Sequence, residues 1–151
     1  MEFCLVDTNI LVRWVREESA EFRTVDDALA RIADSGAITC YTSQILGELW
    51  NALTRPVDRN GYGLTPPEAE LRAVEVEASL RLLPDTPRVH RAWRQILIDY
   101  RVSGVQVHDA RIVAAMRVYG VHRILTFNAK DFARYDGIEA VNPLQLAKSW
   151  P

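Results

Sequence analysis

Three acidic residues stand where an α/β sequence would bring their side chains together. Asp7 ends an apolar segment typical of a buried strand, Glu48 lies early in a predicted helix behind a second strand, and Asp109 begins another predicted helix. Strand carboxyl ends and helix amino ends share one edge of a parallel sheet, so these carboxylates are expected to meet there. They would repel one another without a cation, and Mg²⁺ or Mn²⁺ prefers such carboxylate-rich sites. The spacing therefore predicts a divalent-metal site.

Each of these acids also has a purely structural interpretation. Asp7 could cap the helix that follows it, although Thr8 and Asn9 are competent caps themselves. Glu48 lies off the apolar stripe of its helix and could be a solvated surface residue. Asp109 lies on the apolar face of its helix, so it is either an N-cap or a buried functional group, because an unpaired buried charge is costly. Together the three favour a site more strongly than any one alone.

Other kinds of chemistry receive little support from the sequence. His108 could act as an acid or base, but a single histidine beside a helix start is more typical of a surface or capping residue. There is no Gly-x-Gly-x-x-Gly, P-loop or serine-elbow pattern, so neither a nucleotide cofactor nor a serine nucleophile is indicated. Cys4 and Cys40 fall in apolar segments and are expected to be small buried thiols rather than metal ligands.

Charge and hydropathy indicate a protein of the cytoplasm without a membrane partner. The net charge of −2 does not itself indicate a nucleic-acid binder. All but two of the basic residues are arginines, which favour phosphate, but a GC-rich genome would give the same bias. No apolar run approaches the roughly 18–20 residues that a membrane span requires. The chain also starts directly with a strand-like segment, without a basic leader or a cleavage site.

Alternating strand-like and helical periods predict one α/β domain over residues 1–151. Thr24 is expected to cap the second helix and Gly36 to end it, whereas Thr65 and Glu68 form a capping box for the fourth. Residues 54–64 form the one long irregular segment, of a length that is usually functional or mobile. Strands are predicted at 3–6, 37–41, 82–83, 123–127 and 138–141, with helices starting near 9, 24, 43, 66, 87 and 109. These elements predict a three-layer α/β/α fold around a central, mostly parallel sheet of four to five strands.

Four segments of the sequence resemble the PIN-domain family, and within it the VapC-type toxins of bacterial toxin–antitoxin systems. They occur in the family's order and cover nearly the whole chain, whose length is typical. An Asp-Thr-Asn tripeptide alone is common, but four motifs at this spacing are specific. The segments are residues 5–11 (LVDTNIL), 45–51 (ILGELWN), 107–116 (VHDARIVAAM) and 124–132 (ILTFNAKDF).

The resemblance implies a PIN-like fold and a metal-dependent endoribonuclease. Asp7, Glu48 and Asp109 would hold Mg²⁺ or Mn²⁺, which would activate a water for in-line attack on an RNA phosphodiester and stabilise charge on the phosphate. The substrate would be single-stranded or loop RNA.

The supporting positions of the family also have counterparts here, with one departure. Thr8, Asn9 and Ser43 match positions that support the acids by hydrogen bonding. Many members carry an acid in a Thr-x-Asp pattern where this chain has Asn128. Asp131, three residues later, is the nearest carboxylate and is either a fourth catalytic acid or a capping or surface residue. Whether one or two metals bind stays open.

The resemblance further implies an RNA substrate, a cognate antitoxin whose tail blocks the site, and a homodimer. The 54–64 segment and the helix that follows are candidate contact surfaces for these partners. Tyr62 or Trp50 could stack on a base, although Trp50 is more typical of a core residue. Affinity for RNA would come from arginines near the acidic edge, and the candidates are Arg13, Arg55, Arg59 and Arg111.

The alternative is a non-catalytic α/β module, a binding or receiver-like domain whose acids only cap helices. A receiver-like module needs a phosphorylatable aspartate at the end of its third strand and a lysine near the last one. Lys130 could take the place of that lysine, but the third strand is followed only by Asp85 after a proline. Metal binding and RNA cleavage would separate the two interpretations.

Overall fold

A single parallel sheet with the strand order β3-β2-β1-β4-β5 forms the centre of the computed structural model, which describes residues 1–146 and 150. In the middle, β1 pairs with β2 through Leu5 opposite Cys40, and with β4 through Leu5 opposite Ile124. The chain builds the sheet first to one side of β1 and then to the other, so a switch point lies at the carboxyl end of β1. The strands are β1 (Phe3–Val6), β2 (Ile38–Thr42), β3 (Arg81–Leu83), β4 (Arg123–Leu125) and β5 (Glu139–Val141).

Helices cover both faces of this sheet, which confirms the predicted three-layer α/β/α fold. Thr42, Thr65 and Thr86 cap three of them by accepting hydrogen bonds from N–H groups three residues later. No helix within the described ranges is both long and apolar enough to span a membrane. The helices are α1 (Thr8–Trp14), α2 (Phe22–Asp34), α3 (Ser43–Thr54), α4 (Pro66–Ser79), α5 (Pro87–Asp99) and α6 (Gln106–Tyr119).

The two cysteines lie on neighbouring central strands and are buried free thiols, as predicted. Burial raises the pKa of Cys4 and of Cys40 to about 12, so both stay protonated at neutral pH. Their surroundings are apolar because the strands that carry them are covered on both faces.

The start of α2 differs from the prediction. The helix begins at Phe22 with Glu21 at the N-cap position, which makes no side-chain capping hydrogen bond. Thr24 lies inside the first turn, so its prediction as the cap was wrong. A turn closed by the Phe22 N–H and the Ser19 carbonyl, 3.1 Å apart, leads the chain into the helix two residues early. Gly36 follows the helix with φ +88°, as expected of a helix-ending glycine.

The start of α6 also lies earlier than predicted, and this changes the meaning of Asp109. Backbone N–H groups bond to the carbonyls of Gly104 and Val105, so the helix starts at Gln106 from a turn rather than from a side-chain cap. Asp109 therefore lies within the first turn and is not an N-cap. Gly120, in the left-handed region, ends the helix as predicted.

The segment 54–64 is ordered by backbone hydrogen bonds to the end of α3. It contains a short 3₁₀ turn, Val57–Arg59, and the Leu64 N–H donates to the Leu53 carbonyl at 2.9 Å. Gly61 packs directly on the backbone of Arg55, where any side chain would collide. The close approach thus requires glycine and fixes the path of the loop.

Candidate active site at the carboxyl edge of the sheet

Asp7 is a buried acid held on both of its oxygens. Its Oδ1 accepts a hydrogen bond from the Thr8 N–H at 2.8 Å, and this makes Asp7 the N-cap of α1. Its Oδ2 accepts from the Thr126 hydroxyl at 2.8 Å and from the Asn9 amide at 3.2 Å. The sequence argument that Thr8 and Asn9 make capping by Asp7 redundant was therefore wrong. Asp7 caps the helix and still presents a fixed carboxylate at the switch point.

Thr126 and Asn9 join the ends of β1 and β4 around this carboxylate. The fully buried Thr126 hydroxyl accepts from the Asn128 N–H at 3.0 Å and from the Asn9 amide at 3.1 Å. The Asn9 Oδ1 accepts from the Phe127 N–H at 3.0 Å. Asn128 contributes its backbone, whereas its side chain is exposed. Sequence reasoning assigned no role to Thr126, although Thr126 is the threonine of the Thr-x-Asp pattern that ends here at Asn128.

Glu48 approaches the site from α3 as an exposed side chain with two hydrogen-bond donors. The Thr8 hydroxyl lies 3.4 Å from its Oε2, and the Gln44 amide donates to its Oε1 at 2.9 Å. The same amide nitrogen donates to the His108 carbonyl at 2.9 Å, which connects α3 to the first turn of α6. Gln44 was missed at the sequence level, where its spacing of four residues from Glu48 was the available signal.

Asp109 and Asp131 complete the acidic edge, and neither carboxylate forms a hydrogen bond or ion pair within the described ranges. Asp109 is partly buried in α6, and Asp131 is exposed in the 3₁₀ helix Ala129–Phe132. Burial, followed by the charges of Asp7, Asp131 and Glu48, raises the pKa of Asp109 to about 7. The four carboxylates therefore share one electrostatic environment.

The environment of Asp7 contains the same opposing influences. Burial is the main cause that raises its pKa, and the charges of Glu48 and Asp131 raise it further. The hydrogen bonds from Thr126 and Thr8 lower the pKa, because they stabilise the ionised form. No described lysine or arginine forms an ion pair with any of these four acids. The negative charge of the edge is thus left without a protein cation to neutralise it.

The donor set suits a hard divalent cation, although the side chains do not enclose one as they stand. Among the described residues, no three His, Cys, Asp or Glu side chains form a ready-made metal-binding group. The four acids come from four chain segments and offer only oxygen ligands. Mg²⁺ and Mn²⁺ prefer such ligands. Glu48 and Asp131 are exposed, and of these two Asp131 has no hydrogen bond among the described residues to hold its side chain in place. On donor chemistry, the residues fit the predicted ion.

Arg13 and Ser43, two of the other predicted residues, differ in their contacts near the acids. Arg13 borders the site, since its guanidinium donates to the Asn9 carbonyl at 2.7 Å and lies 4.9 Å from the centre of the Phe127 ring. Ser43 is the first residue of α3 and is exposed, and its hydroxyl makes no hydrogen bond within the described part of the chain. Thr42 caps that helix instead.

Three of the other predicted RNA contacts already have partners within the protein, whereas Arg59 is exposed and unpaired among the described residues. Arg111 forms a 2.7 Å ion pair with Asp85, and Arg55 donates to a carbonyl of its own loop at 3.1 Å. The Tyr62 ring is covered by the guanidinium of Arg16 at 3.6 Å. None of these three groups is presented to the acidic edge as an unpaired contact.

Comparisons with known proteins agree with this fold. The PIN domain family model matches residues 4–138. VapBC2 from Rickettsia felis, solved with a promoter DNA fragment, has a TM-score of 0.69 at 14% identity, covering 93% of this chain and 98% of that chain. DNA-bound VapBC from Salmonella typhimurium has a TM-score of 0.68 at 19% identity, with coverage of 95% and 99%.

A third solved structure is VapC20 from Mycobacterium tuberculosis, described as a sarcin–ricin loop cleaving toxin. Its TM-score is 0.60 at 20% identity, and the match covers 86% of this chain and 93% of that chain. No curated protein sequence matches the chain. At these identities the solved structures show a shared fold, and the family match spans most of the sequence. The chain therefore belongs to the PIN domain family.

Proposed function

We propose that this PIN-domain protein is a metal-dependent endoribonuclease and the toxin of a VapBC-type toxin–antitoxin pair. The observation that carries the proposal is the convergence of four carboxylates from separate chain segments on the switch point of the sheet. Such a cluster without a neutralising protein cation is costly unless a metal ion uses it. Membership of the PIN domain family supports a nuclease.

Asp7, Glu48 and Asp109 would hold the ion, and Asp131 would supply a fourth oxygen. When bound, Mg²⁺ or Mn²⁺ supplies the positive charge that activates water for in-line attack and stabilises the charge of the phosphate. Asp7 is oriented in advance by its hydrogen bonds, whereas Asp109 must lose its proton first. With the pKa of Asp109 raised to about 7, protons compete with the cation for this carboxylate, so the affinity for the ion should rise as the pH approaches 7.

The RNA substrate and the protein partner are proposed by analogy with the structural neighbours. One neighbour is described as a toxin that cleaves the sarcin–ricin loop, and another was solved as a toxin–antitoxin complex. We infer single-stranded or loop RNA as the substrate, a cognate antitoxin as the inhibitor, and a homodimer acting in the cytoplasm as one domain.

The receiver-like alternative has less support from the geometry. Asp85 follows β3, which is an edge strand, and its carboxylate is paired with Arg111. It is therefore not an acid left free for phosphorylation at the switch point. A module whose acids only cap helices also leaves Asp109 without a purpose, because Asp109 caps nothing.

Mn²⁺-dependent cleavage of a fluorescently labelled single-stranded RNA tests the proposal. We expect Asp109→Asn to lower the cleavage rate by about 100-fold or more, because it removes a charged ligand from the ion. Asp27→Asn, an exposed acid on α2, is the matched control and should cleave like the parent. Equal rates for Asp109→Asn and the parent would show that the assigned site is wrong, and Mn²⁺ binding without cleavage would favour the non-catalytic module.

A further inference from the structure

The outer face of α5 carries a row of arginines without acidic neighbours on the same helix. Arg88, Arg91 and Arg94 are exposed and spaced three residues apart, which places them about 9 Å apart from first to last along the helix axis. Within the described ranges their guanidinium groups make no hydrogen bond and no ion pair. The one acid of the helix, Asp99, accepts a hydrogen bond from Gln95 at 2.8 Å. These three side chains are called the arginine row below.

The arginine row places three exposed, unpaired arginines on one helix, whereas the other exposed arginines without a partner among the described residues, Arg23, Arg31, Arg59 and Arg101, lie on α2 and in two loops. The preceding helix in the chain, α4, is rich in acids, and Arg72 on it pairs with Glu75 at 3.2 Å. With a net charge of −2 for the whole chain, three adjacent unpaired cations form a local positive field. Other arginines with acidic partners are Arg13 with Glu21, Arg16 with Glu18, Arg111 with Asp85, and Arg123 with Glu2 and Glu139.

The helix that carries the arginine row braces the helix that carries Asp109. α5 packs along α6, and the Trp93 indole N–H donates to the Val107 carbonyl at 2.9 Å. That carbonyl lies two residues before Asp109, in the first turn of α6. An RNA strand bound along α5 would therefore lie on the helix that packs against α6, and α6 carries Asp109.

We propose that the arginine row on α5 binds the phosphates of the RNA substrate, an inference that rests on the proposed nuclease function. Four carboxylates repel a polyanion, so affinity for RNA must come from cations outside the acidic edge. Arg55 and Arg111 are already engaged, whereas the guanidinium groups of the row are unpaired and exposed. A guanidinium fork matches a phosphate with two parallel hydrogen bonds, and a row contacts successive phosphates without reading the bases.

Fluorescence anisotropy with a fluorescein-labelled single-stranded 20-nucleotide RNA tests the proposal. The measurement is made in EDTA, so it depends on neither metal nor cleavage. We expect the variant with Arg88→Gln, Arg91→Gln and Arg94→Gln to bind about 30- to 100-fold more weakly at 0.1 M salt. The slope of log K against log salt concentration should fall by about 2, because each phosphate contact on a single strand contributes about 0.7.

Two further variants make the result specific. Arg23→Gln, Arg31→Gln and Arg72→Gln remove the same charge from α2 and α4, and this matched variant should bind nearly as the parent does. A row of lysines, made by Arg88→Lys, Arg91→Lys and Arg94→Lys, should keep the salt slope and most of the affinity, because it keeps the charges.

Unchanged RNA affinity and salt slope in the glutamine variant of the row would overturn the proposal and assign this face to an acidic protein surface. Equal losses in the glutamine variant and the matched variant would also overturn it, since the effect would then be one of net charge. Failure of the proposed nuclease function would show separately, as the absence of Mn²⁺-dependent cleavage by the parent protein.

Discussion

The two sides of the acidic edge are built in opposite ways. On the strand side, Asp7 accepts three hydrogen bonds and is held between β1 and β4. On the helix side, Asp109 has no hydrogen-bond partner among the described residues, and burial with neighbouring negative charge raises its pKa to about 7. Burial raises the pKa of both carboxylates, but only Asp7 has hydrogen-bond donors that oppose this rise and fix its orientation.

This difference suggests a division of labour within the proposed metal site. A fixed carboxylate sets where the ion lies, and an unpaired one makes binding depend on the ion's charge, since an unpaired buried charge is destabilising. Glu48 lies between these extremes, because Thr8 and Gln44 orient it while its side chain stays exposed. Replacing each of these acids should therefore affect the free energy of unfolding and the rate of RNA cleavage in a different order.

The largest expected effect comes from separating the two roles of Asp7. Asp7→Asn keeps the acceptor for the Thr8 N–H, although its amide nitrogen cannot accept from Thr126, so the free energy of unfolding should fall by only about 1 kcal/mol. The same change removes a charged ligand and should lower Mn²⁺-dependent RNA cleavage by about 100-fold or more. Chemical denaturation and a cleavage assay on the same preparations measure both quantities.

Asp7→Ala is the companion variant, because it removes the cap and the ligand together. It should be as inactive as Asp7→Asn. Its free energy of unfolding should be about 1–2 kcal/mol lower than that of Asp7→Asn, since the N–H of Thr8 and the Thr126 hydroxyl lose their acceptor. Full cleavage activity in Asp7→Asn would show that Asp7 is only a helix cap. The proposed difference between Asp7 and Asp109 as metal ligands would then be wrong.

A smaller effect is expected from Thr126, which supports Asp7 without facing the ion. Thr126→Val keeps the shape but removes the hydroxyl that donates to Asp7 and accepts from the Asn128 N–H. We expect the free energy of unfolding to fall by about 1–3 kcal/mol, because buried partners are left unsatisfied. Thr126→Val should also lower the Mn²⁺ affinity measured by calorimetry, because Asp7 loses a donor that orients it. Thr126→Ser keeps the hydroxyl and should retain most of that affinity. Equal Mn²⁺ affinity in the valine variant and the parent would show that the hydroxyl does not position Asp7.

Sequence periodicity was sufficient for the architecture of the protein. Apolar segments such as 3–6 and 123–127 identified strands that are buried on both faces, and Asp7 was correctly placed at a strand end. Helix starts were predicted only where a side chain marks them. Thr65 does so for α4, but α2 and α6 begin from backbone turns, and for this reason Thr24 and Asp109 were misplaced relative to their helices.

The hydrogen-bond network of the site was beyond the sequence because it depends on which strands are neighbours. The contact between Thr126 and Asp7 joins residues 119 positions apart and exists only because β4 pairs with β1. Likewise, a sequence shows that Arg111 is charged but not that Asp85 neutralises it. Strand order and ion pairing are tertiary properties, and propensity carries no information about either.

The smallest expected effect, and the most direct check on the helix side of the site, is the pH dependence of stability without metal. Folding raises the pKa of Asp109 from 3.8 to about 7, so the native state binds more protons than the unfolded state between these values. The free energy of unfolding should therefore fall as the pH rises from about 4 to 7 and stay lower above it. Asp109→Asn lacks this titration.

Urea denaturation in EDTA at pH 5 and pH 8 measures the difference between the parent and Asp109→Asn. Relative to the parent, the variant should gain on the order of 1 kcal/mol between the two pH values, a figure reduced for the partial exposure of Asp109 to solvent. Asp27→Asn should show no such change, because that acid is exposed on α2. Excess Mn²⁺ at pH 8 should stabilise the parent and not the variant, because only the parent offers the ion a charged ligand at this position. A pH-independent difference between parent and variant would mean that Asp109 ionises without cost, and the two sides of the site would then be alike.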